Sequence, residues 1–205
     1  MRVNGRWIYI KNHTMENINE MYEWNHDLEL IEIECGNKNR ISDIDIFRKE
    51  AMESYIQNNH ENNSTFCHFG IHRKSDGKII GYTDLINIEK NYENAELCIA
   101  IPNKKLRNKV YGMDSIITIL YFAFNVKGLK NVSFSTRIDN YVILNICKKM
   151  GFEYSKKHFC ENGYSIDLVC YTINKELFDK IVNGIFKKYI GNISIEEDVH
   201  PGMIS

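Results

Sequence analysis

Residues 95–124 read AELCIAIPNKKLRNKVYGMDSIITILYFAF, and this stretch decides the fold. Ala95 to Ile101 alternates as a strand does, and Pro102, with no N–H to give to a ladder, ends it. From Met113 onward, Met113, Ile116, Ile117, Leu120 and Phe124 recur at helical spacing, which marks an amphipathic helix packed on a sheet. Between the two lies a basic turn, Lys104-Lys105-Leu106-Arg107-Asn108-Lys109-Val110-Tyr111-Gly112. A helix N-terminus offers unpaired N–H groups and the positive end of a dipole, so a basic turn just before it suits a phosphate. The same turn also reads as an ordinary solvated loop.

Upstream, a strand at Trp7 to Ile10 leads to Thr14, which caps a helix running through Trp24 with Ile18, Met21 and Tyr22 at helical spacing. Ser42 to Gln57 repeats that pattern through Ile44, Phe47, Ala51 and Tyr55, and the polar stretch Asn58 to Ser64 reads as a loop. Phe66 to His72 and Lys78 to Ile88 then form a hairpin about Ser75, Asp76 and Gly77. Downstream, Val132 to Thr136 is a strand. Ile143, Ile146, Cys147 and Met150 make a second amphipathic helix closed by Gly151. A last hairpin, Lys157 to Cys160 and Tyr164 to Ile173, turns on Asn162 and Gly163. Paired strands followed by strands alternating with helices predict an α/β (α+β) single domain with a mixed sheet covered by helices. A helix over Lys175 to Tyr189 and a polar tail with the acidic cluster Glu196 to Asp198 complete the chain. Ile185, Phe186, Tyr189 and Ile190 need burial if helical, which favours a tail packed on another subunit in a homodimer, or covering the active site, over a mobile one.

With 205 residues, 43% apolar, and 26 basic against 27 acidic side chains, the chain is one ordinary globular domain with a short tail. Disordered, collagen-like and low-complexity classes are excluded by that composition, by 12 Gly and by 2 Pro. No apolar run is long enough to span a membrane and no signal-peptide pattern opens the chain, so a cytoplasmic protein without a membrane partner is expected. The net charge of −1 argues against a nucleic-acid partner bound through bulk electrostatics. Six cysteines, Cys35, Cys67, Cys98, Cys147, Cys160 and Cys170, show no zinc-clip spacing and read as reduced core thiols; no metal is implied. Abundant Asn, Ile and Lys suggest an AT-rich, bacterial genome.

Four motifs follow one another in a single order: Ala95-Glu96-Leu97 on the strand, Lys109-x-Tyr111-Gly112 at the turn, Asn140 before the second helix, and Gly151-Phe152 after it. That order resembles the GNAT superfamily of N-acetyltransferases over about residues 7 to 173. The sequence looks closest to the branch of spermidine and ribosomal-protein N-terminal acetyltransferases, with Asp76-Gly77-Lys78-x-Ile80-Gly81-Tyr82 and Phe159-x-x-Asn162-Gly163-x-x-x-Asp167 as further matches. The resemblance implies a mixed, mostly antiparallel sheet of about seven strands in residues 1–173, with 174–205 as an appended helix and tail. It implies acetyl-CoA as donor, its pyrophosphate held by backbone N–H groups of Arg107, Asn108, Lys109, Val110, Tyr111, Gly112 and Met113. The pantetheine arm then lies beside Ile99, Ala100 and Ile101. Asn140 matches a pantetheine-contacting Asn, although it is equally placed to cap a helix. Lys149 matches a basic residue near CoA, although surface lysines are common.

Two positions depart from the family pattern. Val110 stands where the first Gly of the pyrophosphate turn is usual, which is costly if the position needs positive φ and harmless if it is already helical. Cys147 stands where many members carry a Tyr that protonates the departing thiolate; a thiol of ordinary pKa could serve as that acid, or could be packing. Glu96, on one face with Cys98 and Ala100, is the candidate base for the attacking amine, or a group that binds its charge.

Between His13 and Asn37 stand seven carboxylates, Glu16, Glu20, Glu23, Asp27, Glu29, Glu32 and Glu34, and no Lys or Arg. In this family the segment borders the acceptor, so the charge implies a cationic amine: a polyamine, a basic peptide N-terminus or an aminoglycoside. A solvated helix face explains it as well. The alternatives are an amino-sugar or antibiotic N-acetyltransferase and a non-catalytic acyl-CoA-binding module.

Overall fold

The computed structural model describes residues 1–27, 43–60, 65–89, 91, 93–107, 110–161, 164–184, 187 and 193–196. In chain order these form β1 (Arg2–Asn4), β2 (Ile8–Lys11), α1 (Met15–Asn25), α2 (Ile44–His60), β3 (Cys67–Arg73), β4 (Ile79–Ile86) and β5 (Asn94–Ala100). A 3-10 turn (Lys104–Leu106) precedes α3 (Val110–Asn125), β6 (Asn131–Arg137), α4 (Tyr141–Lys149), β7 (Glu153–Glu161), β8 (Tyr164–Asn174), α5 (Lys175–Asn183) and β9 (Ser194–Glu196).

All nine strands join one sheet in the order β7-β8-β6-β5-β4-β3-β2-β1-β9. Every pairing is antiparallel except β5 with β6, whose connection is α3, as a parallel pair requires a crossover. The sheet is therefore mixed and mostly antiparallel, as expected, with two strands more than the expected seven. The additions are β1 and β9, three residues each, too short to carry a period-2 signal.

Alternation within the strands divides the two faces. Ile8, Ile10, Phe69, Ile71, Leu85, Leu97, Val132 and Ile173 point to the side covered by α3, α4 and α5 and form the core. Almost all of α3 beyond its first turn is buried, and Phe122 meets the Phe69 ring edge-on at 4.9 Å. The opposite face carries His68, Gly70, Tyr82, Asp84, Glu96 and Cys98, and here Trp24 at the end of α1 stacks on Tyr82. Thr14 opens α1 as expected: its N–H and Oγ1 both donate to Asn17 Oδ1 at 3.3 and 3.0 Å. Asp43 opens α2, its carboxylate accepting from the amides of Asp45 and Ile46.

The predicted turns at Gly77 and Gly151 hold, both at positive φ, where a side chain would be strained. The expected turn residues Asn162 and Gly163 lie outside the described residues. The helix expected over Lys175 to Tyr189 is interrupted, since α5 ends at Asn183 with Gly184 at its C-cap; Lys187 is again helical, and Ile185, Phe186, Tyr189 and Ile190 lie outside the described residues. The polar tail also contains a strand. Ser194, Ile195 and Glu196 pair with Asn4, Val3 and Arg2, and Asn4 Nδ2 donates to Glu196 at 2.9 Å. No helix among the described residues is long and apolar enough to cross a membrane.

One polar contact ties α3 to the sheet edge. Asp114, 3% exposed, accepts hydrogen bonds from the backbone N–H groups of Arg6, Trp7 and Ile8 at 3.0, 2.7 and 3.0 Å. Burial holds its carboxyl above the usual carboxylate range, partly offset by those three donors. Asp114→Ala would leave the three amides without their acceptor, the Ile8 contact buried and those of Arg6 and Trp7 partly so. The expected cost is about 3–5 kcal/mol, since each orphaned buried donor costs about 1–3. Urea denaturation of the two proteins measures it.

Candidate active site

The defining feature of the site is a split in the sheet. β5 and β6 pair only at Asn94↔Asn131, Ala95↔Val132 and Glu96↔Ser133, and Ser133 Oγ closes the pairing by donating to Ala95 O at 3.2 Å. Beyond that point β5 runs on to Ala100 paired with β4, and β6 runs on to Arg137 paired with β8. Two facing strand edges are left, each with backbone N–H and C=O groups directed into the gap, and such groups need a partner.

The wall of the split at β5 is fixed by close packing. A Cβ at Gly81 would fall on the carbonyl oxygen of Ala100, so β4 lies against β5 more tightly than any side chain allows. Ile99 packs against the core, Ala100 is buried and Ile101 is half-buried. Arg107 then clamps the strand end: its Nε donates to Ile101 O at 2.9 Å and its guanidinium NH2 to Pro102 O at 2.7 Å. Its own amide is used in the 3-10 turn, on Lys104 O. Arg107 therefore positions the turn with side chain and backbone alike.

Where the split opens, α3 begins. Val110 is its first residue, exposed and helical, and Asn87 is the only non-glycine at positive φ among the described residues. The β-branched side chain thus stands where its backbone tolerates it. Tyr111 and Met113 lean on the core, while a Cβ at Gly112 would meet nothing within 4 Å. The first turn of a helix has no intrahelical partners for its N–H groups, and here that turn faces open space on one side. These residues fit an anionic group approaching the backbone closely. Asn108 and Lys109 lie outside the described residues.

Asn140 sits at the end of β6, across the split. Its Oδ1 accepts from Ile143 N at 3.5 Å as the N-cap of α4, and its Nδ2 donates to Thr136 Oγ1 at 3.1 Å. Lys149 is exposed in the last turn of α4 beside Lys148, where a cation complements the helix dipole. Glu96 is half-buried at the vertex of the split, with Asn87 Nδ2 3.4 Å from its Oε2. Cys147 is 2% exposed within the core, and burial pushes its thiol up to about 12. A thiol that holds its proton so tightly is a poor donor to a thiolate whose own acid has a pKa of about 8.5, and its depth in the core favours the packing reading of Cys147.

Sequence reading missed a column of imidazoles on the α1 side of β3. Asp84 Oδ1 lies 2.9 Å from His68 Nδ1. Two residues along, Gly70 leaves room for His13: a Cβ there would sit 3.3 Å from His13 Nδ1 and 3.0 Å from His72 Nε2. His72 stacks on Tyr9 with centroids 4.8 Å apart. The signal was present, since His68 and His72 alternate with Phe69 and Ile71, but a lone sequence does not say that His13 folds over them.

Residues 8–153 match the family model described as the acetyltransferase (GNAT) domain. The chain belongs to the GNAT acetyltransferase family. Membership makes it an acyltransferase of the N-acetyltransferase class. No curated protein matches it in sequence. Among solved structures it is similar to the spermidine N-acetyltransferase from Vibrio cholerae in complex with CoA and spermine, with 18% identity and TM-score 0.69 over 84% of this chain and 98% of that one. It is also similar to a GNAT-family acetyltransferase from Bacillus anthracis, with 14% identity and TM-score 0.67 over 86% and 99%. The nucleotide-linked sugar GNAT FdhC aligns with 17% identity and TM-score 0.70 over 93% and 99%. At such identities the likeness is one of fold.

The buried imidazoles make stability depend on pH. Burial, opposed by Asp84 and assisted by His68 and His72, pushes His13 from 6.5 down to about 4. Between those values the unfolded chain takes up the proton that folded His13 refuses, so stability falls as pH drops through this window. The contribution is about 3 kcal/mol by pH 4. Urea unfolding at pH 7 and pH 4.5 should show the loss, and His13→Gln should flatten it.

Proposed function

We propose that this chain transfers the acetyl group of acetyl-CoA directly to a primary amine of a cationic acceptor. The observation that carries the reading is the split between β5 and β6, which runs into the open first turn of α3. A long thioester donor with a phosphate-bearing end needs a strand edge to bind along and an anion site beyond it.

The backbone edge of Ile99 to Ile101 would orient the pantetheine arm, and the amides of Val110 to Met113 would hold the pyrophosphate, with Gly112 keeping the approach clear. Asn140, fixed by its cap and by Thr136, would line the far side. Asn108, Lys109 and Lys149 would contribute at the CoA end. Glu96, at the vertex on the acceptor face, would organise the water that receives a proton from the amine, or bind its charge. No covalent enzyme intermediate is required.

The acceptor class rests on charge. Glu16, Glu20 and Glu23 all stand exposed on α1, with Asp27 beyond them, and no cation from α1 neutralises them. Glu29, Glu32 and Glu34 lie outside the described residues. The likeness to spermidine N-acetyltransferases favours a polyamine among the cationic amines, and that to a nucleotide-linked sugar GNAT keeps an amino sugar as the second reading.

Calorimetry should show acetyl-CoA binding to the wild type and its loss in Gly112→Trp, whose side chain would fill the open approach. CoA release should then be seen with at least one of spermidine, spermine, a basic peptide, an aminoglycoside or an amino sugar. Binding without release on any amine would leave a non-catalytic acyl-CoA module. Glu96→Gln should lower kcat by about 10²–10⁴-fold with acetyl-CoA affinity retained.

A further inference from the structure

Three residues on adjacent strands, His68, Asp84 and Cys98, are direct register partners and form one row across the acceptor face. On β5 this row comes two residues after Glu96, the last residue paired with β6. It is therefore the first row on that face beyond the point where the sheet opens. Asp84 is the sheltered member, with its side chain 14% exposed, and His68 is the accessible one at 32%. A hydrophobic pair would serve packing at lower desolvation cost on this face.

We propose that His68 and Asp84 form the proton-accepting pair for the attacking amine, reached through water lying over Cys98 from the split between β5 and β6. The inference rests on the amine-acetylation reading above. Nδ1 of His68 lies 2.9 Å from Asp84 Oδ1 in an ion-pair contact without hydrogen-bond geometry, and that buried oxygen has no hydrogen-bond partner among the described residues. The proposed pair carries the neutral ring's hydrogen on Nδ1, toward the carboxylate, which leaves Nε2 as the acceptor. Two strand spacings of about 4.8 Å each separate β3 from β5, so the proton travels by water and not by direct contact.

The step balances. The protonated amine gives one proton through water to Nε2, producing an imidazolium held by Asp84. The free amine attacks the acetyl carbonyl, the C–N bond forms and the C–S bond breaks. The second nitrogen-bound proton ends on the departing thiolate, and the imidazolium returns its proton to solvent. The net products are the amide, CoA thiol and one proton.

The surroundings suit a base that works near neutrality. Burial lowers the His68 pKa, but the neighbouring Asp84 carboxylate outweighs it and raises the ring above its ordinary value. His13, also facing Asp84, stays neutral and does not compete for the carboxylate. The nearby charges of α2 are engaged among themselves, Arg48 with Asp45 and Lys49 with Glu53. Those of α1, Glu16, Glu20 and Glu23, are exposed.

The test is the pH dependence of kcat/KM with spermine and saturating acetyl-CoA, for wild type, His68→Gln, Asp84→Asn and Glu96→Gln. The wild type should lose rate on the acid side with the pKa of His68, measured independently by proton NMR titration of that ring. Asp84→Asn should move the acid limb down by about one unit or more, because the carboxylate no longer favours the imidazolium. His68→Gln should remove the limb and about 10²–10⁴ of the rate. Glu96→Gln should lower the rate and leave the limb in place. A merely structural pair would lower kcat without moving the limb, and that outcome, or an NMR pKa that disagrees with the wild-type limb, overturns the proposal. Wild-type turnover with an unmoved limb defeats this inference alone; no CoA release on any amine defeats it together with the reading beneath it.

Discussion

The Asp114 carboxylate, buried against three consecutive backbone amides, is the constraint from which the rest of the site follows. It fixes the start of α3 to the turn between β1 and β2, so the helix cannot slide along its axis or rotate about it. The apolar residues of α3 then have one way to meet the sheet, and Phe122 finds Phe69. Gly5 completes the fit, because a Cβ there would collide with Asp114 and Thr118. An interaction at the outer edge of the sheet thereby sets where the first turn of α3 points at its centre.

That turn is useful only because β5 ends beside it. β5 carries one paired edge and one free edge past Glu96, and a strand held from one side would ordinarily twist away or fray. Two devices hold it. The backbone of β4 at Gly81 presses against Ala100, and the Arg107 guanidinium collects the carbonyls of Ile101 and Pro102. The free edge is therefore held by packing and hydrogen bonds of the protein itself, and under the proposed function a donor bound along it would lose less ordering entropy. Asn140 does the same on the facing edge by spending its side chain on a cap and on Thr136.

Periodicity carried most of the fold. The helix from Met113, the hairpin about Asp76 and Gly77, and the cap at Asn140 were legible because each is a local rule acting on neighbouring residues. β1 and β9 were not, since pairing residue 3 with residue 195 leaves no local trace. The break after Asn183 shows a glycine interrupting the helix that the apolar spacing suggested. At the site, the basic turn before α3 and the strand beside it were readable from composition and order. The tolerance of Val110 needed a dihedral angle, and the packing of Cys147 needed its depth. Asp114 and His68 carried no expectation from the sequence, because their partners lie far away in it.

The pairing of β9 with β1 has a consequence for how the chain is made. Residues 2–4 leave the ribosome well before residues 194–196, and until the latter emerge their outer edge stays bare. Over that interval Arg2–Asn4 offers a strand edge to any passing β segment. Arg2 and Asn4 at that edge dilute the single apolar Val3 between them, which makes a foreign strand a weaker match than the one eventually supplied by the chain itself.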